Sequence, residues 1–119
     1  MMMTDDNKQT LMNANAAISR SDHESFLAYC TDDVKWNFIG EQTLNGKEAV
    51  RQYLRETYLE PPQFVVEELI ADEDFLCATG KISLKDKQGV STTYSYCDVW
   101  RFEDGKMAEL KAFVVKDDV

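Results

Sequence analysis

Long apolar runs are missing from this 119-residue chain, and with them any helix able to cross a bilayer, which takes about 20 consecutive apolar residues. The opening Met1-Met-Met-Thr-Asp-Asp6 lacks the positive and apolar regions of a secretory signal, so a cytoplasmic location is expected. Positive charge is scarce: 13 Lys and Arg stand against 22 Asp and Glu, a formal net charge of -9 that repels nucleic-acid phosphates and anionic lipid heads. Neither nucleic acid nor a membrane is an expected partner. Histidine occurs once, at His23, and no carboxylates or cysteines cluster at ligand spacing, so the expectation is no metal site and no cofactor. Cys30, Cys77 and Cys97 are odd in number and lie in apolar patterns, which fits reduced, partly buried thiols rather than a disulfide framework. A serine nucleophile elbow, a phosphate loop and a dinucleotide glycine run are all absent, which removes the local geometry that hydrolase, nucleotidase and Rossmann readings require. No repeat and no linker-like shift in composition divides residues 1–119, so one domain is expected, with 1–5 disordered. A hydrophobic fraction of 44% is enough to bury one core.

The most informative stretch that is present runs from Tyr94 to Met107. On a period of two, Tyr94, Tyr96, Asp98, Trp100 and Phe102 share one face of a strand, and Ser95, Cys97, Val99 and Arg101 share the other. Asp98 is an acid among rings. Burial without a partner is expensive for a carboxylate, so it either faces a ligand cavity or lies at a wet edge. The strand runs into Asp104-Gly105, which suits a type I′ hairpin because both central positions need positive φ.

Upstream, Leu11, Ala14 and Ile18 recur at helical spacing and predict a helix over 6–19. Ser21 with Glu24 reads as a capping box for a short second helix with Phe26, Leu27 and Cys30 on its apolar face. Val34 to Phe38 alternates as a strand that Gly40 ends, and Asn45 caps a third helix carrying Ala49, Val50, Tyr53, Leu54, Thr57 and Tyr58, stopped by Pro61-Pro62. Strands then follow at about 64–71, 75–85, 90–102 and 107–116 as an antiparallel meander. The class is α+β: three helices cover one face of a curved antiparallel sheet, a cone whose mouth is the natural place for an apolar pocket.

The order of these elements, with Ser21-Asp-His-Glu24, Val34-Lys-Trp-Asn-Phe38, Leu44-Asn-Gly-Lys-Glu-Ala-Val50 and Trp100-Arg-Phe-Glu-Asp-Gly-Lys-Met107, resembles the SnoaL-like branch of the nuclear transport factor 2-like superfamily. The resemblance covers nearly the whole chain and implies a cystatin-like cone, often homodimeric through the outer face of the sheet, with a pocket between sheet and helices. That ketosteroid isomerase-like superfamily holds isomerases, polyketide cyclases, epoxide hydrolases, dehydratases and noncatalytic domains, so the fold does not name the activity. The chain departs from the known catalysts. Asn37 stands where the steroid isomerases carry a carboxylate base before the glycine, and Ala112-Phe-Val-Val115 precedes Asp117 where SnoaL-like enzymes often end the last strand with an aspartate near an aromatic.

If Asp98 faces the cavity, desolvation raises its pKa and suits it to acid/base work, with Tyr53 or Tyr94 steadying an enolate oxygen. The bland alternative is a structural carboxylate paired across strands with Lys or Arg, or accepting a tyrosine hydroxyl. Trp36, Phe38, Tyr58, Tyr96 and Trp100 are the candidate ligand-binding residues for an apolar small molecule, and core packing is the competing role for each. Two functional classes follow: an isomerase-, cyclase- or dehydratase-type enzyme acting on a carbonyl compound, or a noncatalytic ligand-binding or homodimerisation module.

Overall fold

The computed structural model describes residues 3–117. The helices are α1 (Met3–Ser19), α2 (His23–Ala28) and α3 (Lys47–Thr57); the strands are β1 (Cys30–Phe38), β2 (Gln42–Asn45), β3 (Gln63–Asp72), β4 (Phe75–Lys85), β5 (Ser91–Glu103) and β6 (Lys106–Lys116). The sequence predicts disorder over 1–5; helix α1 already begins at Met3, while Met1 and Met2 lie outside the described residues.

Six strands form one sheet in the order β2-β1-β6-β5-β4-β3, and the helices cover one of its faces. The α+β class holds, but the sheet is mixed rather than antiparallel, because β1 pairs with β6 in parallel. Alternation in a strand says which side chains share a face and nothing about direction. Only the hairpin turns fix direction, and no hairpin joins β1 to β6. The Asp104-Gly105 turn has φ of 51° and 80°, as a type I′ hairpin requires.

Other local readings shift. Gly40 (φ 82°) turns the chain back instead of ending the region: Glu41 donates its N–H to the Phe38 carbonyl at 2.9 Å, and Gln42–Asn45 pairs with β1. Asn45 is thereby used up in a strand, and Gly46 is the N-cap of α3, without a side-chain bond. At α2 the cap is Asp22, not Ser21, whose φ of 59° places it in the turn. The Asp22 carboxylate accepts from the Ser25 N–H at 3.1 Å and from its hydroxyl at 2.6 Å, and these bonds hold its pKa below the usual range. Cys30 belongs to β1 and is fully buried, and desolvation pushes its thiol up to about 12.

The core lies between helices and sheet. Helix α1 contributes Leu11, Ala14, Ala17 and Ile18, α2 Phe26 and Leu27, and α3 Val50 and Leu54. Trp36 sits at its centre, edge-on to Phe26, Phe38, Tyr53 and Trp100 at centroid distances of 5.8, 6.1, 6.0 and 6.0 Å. Two polar ties orient the helices. Arg51 of α3 grips both carboxylate oxygens of Glu24 in α2, at 2.8 and 3.1 Å, and also reaches Glu48. Asn7, 2% exposed, donates its amide to the Glu73 carbonyl at 3.5 Å and so fastens α1 to the β3–β4 turn.

Candidate active site

Directly opposite residues on paired strands share a face, so the registers define rows across the helix-covered side of the sheet. One row reads Leu69, Ala78, Asp98, Ala112, Phe38. Asp98 thus has an alanine on either side. The next row is Ala71, Leu76, Trp100, Leu110, Trp36, and the row on the other side is Val66, Gly80, Tyr96, Val114. Two small side chains between bulky rows leave a hollow, and the helices roof it: α3 with Tyr53 and the adjoining Tyr58, α1 with Leu11, Asn15 and Ile18. The cavity measures about 140 Å³, and Val114 in its wall is 42% exposed.

Among the described residues, no hydrogen bond or ion pair reaches the Asp98 carboxylate. It keeps part of its surface open yet is ringed by protein on nearly all sides, and desolvation raises its pKa from 3.8 to about 7. Neither partner of the structural alternative is in place. Arg101 faces the opposite side of the sheet, with Glu109 at 3.4 Å and Glu103 at 3.6 Å, and the Tyr96 hydroxyl donates instead to the Val65 carbonyl at 3.4 Å.

The surrounding phenols are held neutral. Burial raises Tyr53, against a smaller opposing pull from the Thr57 hydroxyl; burial also raises Tyr58, and Tyr96 goes up to about 12, with the nearby Asp98 charge adding to all three. A neutral phenol remains a hydrogen-bond donor. The Tyr58 hydroxyl makes no hydrogen bond among the described residues, and the Trp36 indole N–H is buried without an acceptor.

The structure brings together Asp98, Tyr53, Trp36, Phe38, Tyr58, Tyr96 and Trp100 in the wall of this one cavity. Tyr94 is the exception: it stands one pleat beyond Tyr96, opposite Ile82 and Lys116, outside the lining. Trp36 and Trp100, each 4% exposed, are core residues as much as wall. Asn37 points away from the cavity and accepts from the Thr43 hydroxyl at 3.4 Å. Asp117 is also elsewhere: on the outer face it accepts from Ser95 at 2.7 Å and from Lys81 at 3.1 Å, contacts that keep its pKa low. Asn15, Ala78 and Ala112 escape sequence reasoning: Ala78 reaches Asp98 through the β4–β5 register, and counting back from Asp104-Gly105 would set Lys111 opposite Asp98, one residue off the true partner Ala112, because the β5–β6 pairing shifts between Arg101 and Phe102. Cys77 and Cys97 meet on the outer face with sulfurs 3.6 Å apart, both as free thiols, and burial lifts Cys77 to about 11. Among the described residues no three His, Cys, Asp or Glu side chains converge as metal ligands, and no helix is long and apolar enough to cross a membrane.

The profile of the SnoaL-like domain matches residues 12–110, from within α1 into β6, a span that holds Asp98 and most of the cavity wall and stops short of Ala112 and Val114. The chain belongs to the SnoaL-like family. Three solved structures share the architecture of this SnoaL-like domain. An NTF2-like protein of unknown function from Cytophaga hutchinsonii is 25% identical, with 90% of this chain and 97% of that one covered at a TM-score of 0.73. Another from Burkholderia pseudomallei is 24% identical, with 90% and 88% covered at 0.80. SalBIII, an epoxide hydrolase/cyclase-like enzyme of pyran ring formation in the polyether salinomycin, is 15% identical, with 95% and 94% covered at 0.86. At such identity SalBIII speaks for the fold alone. No curated protein matches the sequence.

Proposed function

We propose that the cavity is an active site for proton transfer at a carbon next to a carbonyl, with Asp98 as the acid/base. The observation that carries this reading is an unpaired carboxylate, its pKa brought to about 7, in a hollow lined mostly by apolar side chains. The ionised carboxylate takes the α-proton, the C–H electron pair moves into the enolate, and the new oxyanion accepts a hydrogen bond from Tyr53 or Tyr58. The protonated Asp98 then returns its proton to the same carbon or to a conjugated one, which completes an exchange or an isomerisation. Epoxide opening of the carboxylate-and-arginine kind has less support, since no Lys, Arg or His lines the cavity.

The test is deuterium wash-in at the α-carbon of small ketones in D2O, followed by NMR. Wild type is expected to exchange with a rate that rises with pH and levels off above about 7, the ionised base being the active form. Asp98→Asn is expected to lose about 10²–10⁴-fold, the usual contribution of a positioned base. Equal rates in the two proteins would end the proposal.

A second reading concerns the outer face, where Val65, Ile70, Phe75, Phe113 and Val115 stand 62, 60, 50, 43 and 67% exposed. Their registers place them on one surface, beside the half-buried Cys97 and Val99. An apolar face of this kind is the feature that a second copy would cover by isologous packing. Sedimentation equilibrium is expected to give a dimer for wild type and a monomer for Phe113→Glu/Val115→Lys. A monomeric wild type up to about 100 μM, a concentration at which a micromolar complex is mostly formed, rules this interface out.

A further inference from the structure

Behind the floor of the cavity, on the opposite face of the sheet, lie two thiols that the proton-transfer chemistry does not use. Ala78 and Asp98 are directly paired across β4 and β5, and Cys77 and Cys97 precede them in the two strands. Side chains alternate along a strand, so both thiols point away from the cavity. Cys77 is opposite Val99 and Cys97 is opposite Thr79, which makes the cysteines diagonal neighbours across the Ala78–Asp98 pair. Their sulfurs nevertheless converge to 3.6 Å, and both thiols are free and half-buried.

Two thiols in contact are set up for exchange with an external disulfide, because the second stands ready to displace the adduct formed on the first. Burial and the contact with Cys97 push the Cys77 thiol up to about 11, so the opening attack falls to Cys97. Once Cys97 is bonded to the external sulfur, its hydrogen bond and charge no longer act on Cys77; burial and the charges of Asp98 and Glu68 are what still hold that thiol up. Cys77 is then the resolving thiol. Cys30 takes no part, since it is fully buried and its sulfur lies against the Phe26 carbonyl at 3.8 Å.

Closure moves the strands. Diagonal residues of an antiparallel pair stand about 7 Å apart, at the upper limit of the separation that a disulfide spans. A bond between these two positions therefore draws β4 and β5 against each other across the Ala78–Asp98 pair, which forms the cavity floor on the other face. Disulfides that hold a sheet under tension are the reversible, regulatory kind.

We infer that Cys77 and Cys97 are a reversible redox pair that closes on exchange with a low-molecular-weight disulfide and thereby reshapes the cavity floor at Ala78 and Asp98. The Cys97 thiol gives its proton to solvent and attacks one sulfur of the external disulfide. That S–S bond breaks, one external thiolate leaves and takes up a proton, and a mixed disulfide remains on Cys97. Cys77 then releases its proton and attacks the Cys97 sulfur, and the second external thiolate leaves and is protonated in turn. Two protein thiols have been oxidised, and one external disulfide has been reduced to two thiols. None of this depends on Asp98 acting as a base.

The experiment is titration of dilute reduced protein with oxidised glutathione, quenched with N-ethylmaleimide in denaturant and read by intact mass and peptide mapping. Dilution keeps a second copy from shielding the outer face. The oxidised protein is expected to carry a Cys77–Cys97 link and a single alkyl group, on Cys30, and to take up alkyl groups on all its cysteines again after dithiothreitol. Cys77→Ser is expected to stop at the mixed disulfide on Cys97, a species that does not accumulate in wild type. In NMR spectra, closure is expected to shift the Asp98 carboxyl and Ala78 amide signals and to leave those of α2 in place. A folded pair that stays reduced at a level of oxidised glutathione that links the urea-unfolded chain overturns the proposal, and so does a link to Cys30 or between two chains. Mixed disulfide accumulating in wild type as it does in Cys77→Ser overturns the resolving role of Cys77. Unshifted Asp98 and Ala78 signals in the closed form overturn the connection to the cavity.

Discussion

Asparagine in place of Asp98 is expected to make the folded protein more stable at pH 8 by about 3 kcal/mol and to change it little at pH 4. The folded pKa, about 7, lies above the ordinary 3.8 because burial disfavours the charge. Between those two values the folded chain holds a proton that the unfolded chain has released, so stability falls as pH rises through this window. Above about 7 both states are ionised and the penalty is complete. The rise from 3.8 to about 7 corresponds to about 4 kcal/mol at the limit, and water entering the cavity beside Asp98 reduces that. The amide of Asn is neutral at every pH and carries no such penalty. Urea or thermal denaturation of both proteins at pH 4, 6 and 8 checks it, and the melting difference at pH 8 is expected to be on the order of 10 °C. A constant difference across pH, or a destabilised variant at pH 8, would mean that a partner holds the carboxylate in its charged form. The predicted opposition is informative in itself: a substitution that stabilises the fold while removing α-proton exchange marks a group kept for chemistry rather than for structure.

Much of this was legible from residue spacing. The alternation from Tyr94 to Phe102 put Asp98, Tyr96 and Trp100 on one shared face, which the structure turns toward the helices, and Asp104-Gly105 fixed the hairpin that follows. The helix stripes of Leu11, Ala14 and Ile18 and of Val50 and Leu54 are buried as their period required. Three things were not legible, each for its own physical reason. The parallel pairing of β1 with β6 joins strands far apart in sequence, about which local turn chemistry says nothing. The short β2 carries only four residues, and its Gln, Thr and Asn have no apolar alternation to announce it. The emptiness of the cavity depends on Ala78 and Ala112 arriving beside Asp98, which takes two strand registers together. Asn15 is invisible for a related reason. A polar residue on a helix reads as solvent-facing until the sheet beneath the helix is known to be hollow at that point.

Gly80→Ala is expected to be among the most damaging single substitutions in the sheet, with a loss of about 3 kcal/mol or more. The reason is space, not backbone freedom, since Gly80 lies in the middle of β4 and has no positive φ. A β-carbon there would stand 1.9 Å from the Val65 carbonyl oxygen, 3.0 Å from its carbon and 2.9 Å from the Tyr96 hydroxyl. The irregularity between Val66 and Glu68 accompanies this close approach of β3 to β4. A phenol can swing aside; a backbone carbonyl can move only with its strand. Relief would require β3 to move away, breaking its pairing near Val65 and Val66 and the bond from Tyr96 to Val65. Phe64, which lines the cavity, moves with that strand, so ketone binding is expected to weaken together with stability. Denaturation midpoints and amide exchange along β3 measure the two effects. Adding Tyr96→Phe separates the causes: removing the hydroxyl is expected to restore little, because the overlap at 1.9 Å with the Val65 oxygen remains. Full recovery in the double variant would place the strain on the phenol, and a single variant within about 0.5 kcal/mol of wild type, the range of ordinary surface changes, would mean that β3 does not lie this close to β4.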